Sequence, residues 1–116
     1  MDLLPMTHGH CLVVPRRHVV DIWDLNDEDA GHVMSAAARV AHIQRERLSP
    51  AGVNVLNNNG RLADQSQFHF HMHMIPRYGD DRLLHPWERS FGNRAEISYI
   101  AAVLRGESEL DSDPSA

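Results

Sequence analysis

Seven consecutive residues, Phe68-His69-Phe70-His71-Met72-His73-Met74, alternate strictly between apolar side chains and imidazoles. A period of two is the repeat of an extended strand, whose successive Cβ atoms point to opposite faces; a helix would scatter the same residues around its axis. The alternation predicts a strand from about Gln67 to Ile75, closed by Pro76, with one face that demands an apolar cover. The other face would gather His69, His71 and His73 roughly 7 Å apart along the backbone. A chain carrying this segment is constrained to build a sheet and to pack something against its apolar side.

A long helix is the next strong signal. Asn26 precedes Asp27, Glu28 and Asp29, a capping amide followed by three carboxylates where the amide dipoles of a helix start favour them. Ala30, Val33, Met34, Ala37, Val40, Ala41 and Leu48 recur at three- and four-residue spacing as one apolar stripe. Arg45 and Arg47 fall in the last turn, and Ser49-Pro50-Ala51-Gly52 stops the helix. Two further strands are read before and after it. One is the apolar run His10-Cys11-Leu12-Val13-Val14-Pro15, expected to be buried, and the other is Val53-Asn54-Val55-Leu56. Asn57-Asn58-Asn59-Gly60 is a turn signal leading into a loop. Beyond Arg77 the period is lost, with Trp87 and Phe91 as apolar anchors, until Asn93-Arg94-Ala95-Glu96 resembles a capping box ahead of Ile97, Ile100, Ala101 and Leu104. The reading is an α+β fold with an antiparallel sheet, one long helix and a short C-terminal helix. At 116 residues the chain suits one domain, expected over 1–106, with 107–116 a disordered acidic tail.

The imidazole face suggests two chemistries. Strand histidines can ligate zinc, but the triad strand offers no carboxylate to join them, and the loop before it carries the amides and hydroxyl of Asn58, Gln65 and Ser66, donors suited to phosphate. A neutral imidazole is a competent nucleophile toward phosphorus, and its neighbours can hold the ring, stabilise phosphate oxygens or protonate a leaving group. No metal and no cofactor is required. A formal charge of -5 argues against a nucleic-acid polymer as partner while allowing a small anion at a local site. No apolar run is long enough for a membrane span or a signal-peptide core, and the lone Cys11 cannot close an internal disulfide, so the expected compartment is the cytoplasm. Cys11 reads as a core residue, not a catalytic thiol, and His32 and His42 as solvated helix residues.

The stretch His69-Phe70-His71-Met72-His73-Met74-Ile75 resembles the signature of the histidine-triad (HIT) family: His, apolar, His, apolar, His, apolar, apolar. Pro76-Arg77 follows it, as in many bacterial members. Upstream, Gly9-His10-Cys11-Leu12-Val13-Val14-Pro15-Arg16-Arg17-His18 is similar to the family's strand with its own histidine, and Asn58-Asn59-Gly60 with Gln65 is similar to its loop. The resemblance runs from Asp2 to Arg77.

It implies a nucleotide hydrolase or nucleotidyl transferase in which His71 attacks the α-phosphorus and is transiently nucleotidylated. His69 and His10 would support its charge and position; His73, Gln65, Ser66 and Asn58 would contact phosphate or the leaving group; Asp2 would hold the ribose hydroxyls. Nucleoside phosphoramidates, dinucleoside polyphosphates and acyl-adenylates are the implied substrates, and a homodimer the implied assembly. Two departures stand out. Asp64 occupies a place where the family usually has glycine, and the helix and strands that members carry ahead of this point are expected to be missing. A non-catalytic nucleotide-binding protein is the alternative from another class, with a zinc-binding module third. His18 matches a frequent family position without a role, and His85 has no reading.

Overall fold

The capping signals place the long helix where expected. Helix α1 spans Asp27–Leu48; Asn26 Oδ1 accepts from the Asp29 amide at 2.8 Å, with Asp27, Glu28 and Asp29 in the first turn. It ends at Ser49, which turns left-handed at φ 51° and donates its amide to Arg45 O. The buried face consists of Val33, Ala37, Gln44 and Leu48. Met34, placed on the apolar stripe by its spacing, is 55% exposed, and the polar Gln44 is buried instead. The reason is the backbone beneath the helix. Gln44 Nε2 donates to Gly9 O at 2.9 Å and to Met74 O at 3.1 Å, so the buried amide nitrogen meets backbone carbonyls there.

The structure, a computed structural model, describes residues 6–81 and 94–107, and the side chains of all of these but 94–97. Asp2, His85, Trp87, Phe91, the capping Asn93 and the tail beyond Glu107 lie outside the described residues. Three strands form the sheet: β1, Cys11–Val13; β2, Gly52–Leu56; and β3, Met72–Arg77. Their order is β1-β3-β2 and both pairings are antiparallel, so His73, opposite Leu12 on one side and Leu56 on the other, lies in the middle of the sheet.

Two strand expectations change. The run around β1 is not wholly buried: it pairs on one side only among the described residues, Val13 faces the core, and Leu12 and Val14 are 40% and 51% exposed. The triad strand begins at Met72 and continues through Pro76 to Arg77, whereas Gln67–His69 bends. Before Met72, tertiary contacts replace ladder pairing. The Phe70 amide donates to Val19 O, and Gln67 O accepts from Gln65 Nε2. At the other end β1 has already stopped at its pairing with Met74, so Pro76 has only β2 beside it and its missing N–H leaves no ladder bond on the β1 side unmade.

The apolar side of β3 meets α1 in a core of Val13, Val19, Val33, Ala37, Phe70 and Met74. A second cluster, Leu48, Ile100 and Val103, docks α2, Arg94–Arg105, against the end of α1. Gly9, at φ +84°, lies at that junction, and a Cβ there would collide with the buried Leu48 side chain and approach Pro76 and Ile100. Gly9→Ala is therefore expected to cost about 2 kcal/mol through backbone strain and overpacking. A urea midpoint equal to that of the wild type would contradict this. No helix among the described residues is long and apolar enough to cross a membrane.

Candidate active site

A chain of hydrogen bonds fixes the imidazoles at the centre of the sheet. His10, one residue before β1, is fully buried, and its Nδ1 accepts the Met6 amide at 3.1 Å. An accepting Nδ1 carries no proton, so the His10 proton sits on Nε2 and is donated to His73 Nδ1 at 2.8 Å. By the same logic His73 carries its own proton on Nε2. The His73 ring meets that of His71 edge-on, with centroids 4.9 Å apart and planes at 75°.

His71 is oriented from the other side. Its Nδ1 lies 2.8 Å from His69 O, and since a carbonyl only accepts, Nδ1 must hold the proton. Nε2 then keeps a lone pair, and it makes no hydrogen bond with the described residues. The residue is buried, at 8% exposure.

The expectation that His69, His71 and His73 present their rings side by side holds for two of the three. His71 and His73 are ring neighbours, and His10 joins them from β1. His69 falls in the bend, where alternation no longer governs direction. Its Nε2 donates to Pro15 O at 3.2 Å, and its ring meets the edge of His18, with centroids 5.2 Å apart. What His69 gives His71 is its backbone carbonyl.

The loop between β2 and β3 divides its polar residues into two groups. Asn57 Nδ2 donates to His71 O at 2.8 Å, Asn59 Oδ1 accepts from the Ile22 amide at 2.7 Å, and Gln65 is buried and fully engaged. Gln65 Oε1 accepts from the Gly60 amide at 2.7 Å, while Nε2 donates to Val20 O at 2.7 Å and Gln67 O at 3.1 Å. Gln65, a candidate phosphate contact in the sequence, is thus engaged in shaping the loop. Asn58 and Ser66 make no hydrogen bond with the described residues, which leaves their donors available. The structural roles of Asn57 and Asn59 escape a sequence reading in which a run of asparagines says only that the chain turns. Asp64 ends the short 3-10 helix Arg61–Ala63 at φ 70°, a left-handed position that glycine fills without strain and aspartate tolerates better than most residues. Its side chain is exposed.

Cys11 packs against the core and donates its thiol to Gly9 O at 3.1 Å; burial pushes its pKa up, so it remains a thiol at neutral pH. His32 and His42 are exposed on α1. Among the described residues no three His, Cys, Asp or Glu side chains converge to hold a metal ion.

The HIT domain profile matches residues 1–80. The chain belongs to the HIT family. Over 79 residues it is 44% identical to protein hit of Bacillus subtilis, covering 68% of this chain and 54% of that protein. Over 81 residues it is 33% identical to the adenosine 5'-monophosphoramidase hnt1 of Schizosaccharomyces pombe, covering 70% of this chain and 58% of that one. Among solved structures, a zinc-bound histidine triad family protein of Mycobacterium smegmatis superposes with a TM-score of 0.73 at 33% identity, over 91% of this chain and 76% of that one. The chain spans a little over half the length of the curated HIT relatives it matches. The three-stranded antiparallel sheet and two helices are the α+β arrangement of the HIT fold.

Proposed function

We propose that this chain is a HIT-type hydrolase or nucleotidyl transferase that works at the α-phosphorus of a nucleotide through a covalent nucleotidyl-His71. The observation that carries this reading is the tautomer of His71: with its Nδ1 proton held by His69 O, its Nε2 keeps a lone pair with no competing hydrogen bond among the described residues. In the first step Nε2 attacks phosphorus, a P–N bond forms, and the bond to the leaving group breaks, that group departing with the electron pair and, for a phosphoramidate, with a proton from solvent that makes it ammonia. His69 O then bears on a positively charged ring, which the carbonyl dipole favours. His73, held by its hydrogen bond to His10, is assigned to the phosphate oxygens or the leaving group. In the second step water or another acceptor attacks phosphorus and gives up its proton to solvent, the P–N bond breaks with its electron pair returning to Nε2, and His71 regains its lone pair.

Asn58 and Ser66 are assigned to the phosphates because their donors are not engaged by the fold. Gln65 is assigned to holding the loop that carries them, in place of contacting phosphate itself. Asp2 remains the candidate for the ribose hydroxyls on the strength of resemblance. The S. pombe relative's activity makes a nucleoside phosphoramidate the first substrate to test, with dinucleoside polyphosphates and acyl-adenylates beside it. A cytoplasmic homodimer belongs to the same proposal. Incubation with adenosine 5'-phosphoramidate is expected to release AMP and ammonia catalytically. Binding of AMP without any turnover would replace the enzyme by a nucleotide-binding protein.

A further inference from the structure

His18 sits in the connection after β1, and the catalytic proposal gives it no part. Its side chain is exposed and forms no hydrogen bond or ion pair with the described residues. The ring nevertheless stands edge-on against His69, with centroids 5.2 Å apart and planes at 66°, the arrangement that the quadrupoles of two aromatic rings favour. An exposed imidazole without polar partners has little to contribute to folding, so what this contact restrains is of interest.

The restrained residue is the one that orients the nucleophile. His69 lies in a bend with no ladder bond, and its ring is tied by one comparatively long hydrogen bond, 3.2 Å from Nε2 to Pro15 O. A single bond of that kind leaves the ring free to swing about the N–H···O direction. A second ring against its flank removes that freedom. The carbonyl of the same residue accepts the His71 Nδ1 proton at 2.8 Å.

We propose that His18 is a positioning residue: by bracing the His69 ring it keeps the His69 carbonyl aimed at His71 Nδ1 and so maintains the tautomer with a lone pair on Nε2. The proposal rests on His71 being the nucleophile. If His69 drifts, the Nδ1 proton loses its acceptor, the other tautomer becomes populated, and that form has a proton where the lone pair is needed. The bracing is done by an aromatic edge, so it requires a flat ring at this position and no titrating nitrogen.

The test is nitrogen-15 NMR of histidine-labelled protein, with His71 assigned by the signals lost in His71→Ala. The wild type is expected to show His71 protonated at Nδ1. His18→Ala is expected to shift a substantial fraction of His71 to the Nε2-protonated form, and His18→Phe to restore the wild-type spectrum. With adenosine 5'-phosphoramidate, kcat is expected to fall about three- to tenfold in His18→Ala, with KM within twofold, and to recover in His18→Phe. An unchanged His71 tautomer in His18→Ala, or a His18→Phe protein as perturbed as the alanine variant, overturns the proposal. The NMR readout needs no turnover, so a wild-type protein inactive on the phosphoramidate would defeat the enzymatic reading while the tautomer still decides the role of His18.

Discussion

Replacing His71 by alanine is expected to lower turnover of adenosine 5'-phosphoramidate by about 10⁴-fold or more, the scale on which single members of a nucleophilic unit act. The protein should stay folded. The His71 side chain has one hydrogen bond, to His69 O, and removing it leaves that carbonyl at the cost of one lost partner, about 1–2 kcal/mol. The hydrogen bonds from Met6 through His10 to His73 do not involve the His71 side chain. Turnover by His71→Ala within tenfold of the wild type would remove His71 from the chemistry. Loss of turnover together with loss of the folded-state NMR spectrum would assign the residue to folding instead.

The second large effect lies one residue away and on the opposite face. Phe70 is buried in the core between β3 and α1, with Val13, Val19, Val33, Ala37 and Met74 as its neighbours. Phe70→Ala is expected to cost about 3–5 kcal/mol, from lost transfer energy and the cavity left behind. Small domains have about 5–15 kcal/mol in total, so the thermal midpoint should fall by more than about 10 °C. Adjacent residues would then show opposite phenotypes: lost chemistry with a retained fold at 71, and lost stability at 70. A Phe70→Ala protein as stable as the wild type would mean that the alternation does not separate core from site.

That separation is legible in the sequence, and so is α1, whose capping Asn26, acidic first turn and basic last turn are local signals acting within a few residues. The failures share a physical cause. Where β3 begins depends on Phe70 donating to Val19 O and on Gln65 reaching Gln67 O, bonds whose partners lie elsewhere in the chain or depend on a loop's shape. Period two continues in the sequence through His69, but the backbone bends there and the His69 ring turns to Pro15. Gln44 stands at a position whose spacing from Ala37 and Leu48 fits the buried face; being polar it drops out of an apolar stripe, and only the carbonyls of Gly9 and Met74 explain its burial.

The candidate site was legible to different depths. His71 and His73 follow from alternation alone. His10 entered only through likeness to a family, as a support for His71; its hydrogen bond to His73, 63 residues away, was not anticipated. Asn58, Gln65 and Ser66 looked equivalent as donors in one polar loop. The fold distinguishes them, engaging all of the Gln65 amide and leaving Asn58 and Ser66 without a partner among the described residues. Distinctions of that kind are set by which donors the backbone claims first, and composition does not carry them.

The most direct test of a nucleophilic His71 is intact-protein mass spectrometry after brief mixing with adenosine 5'-phosphoramidate and quenching in alkali, which preserves a phosphorus–nitrogen bond. The expected result is a transient added mass of one AMP moiety that maps, after digestion, to the peptide containing His71 and is absent from His71→Ala. An adduct on another residue, or rapid turnover with no adduct at any mixing time and a product whose phosphorus is inverted by a single displacement, would contradict it.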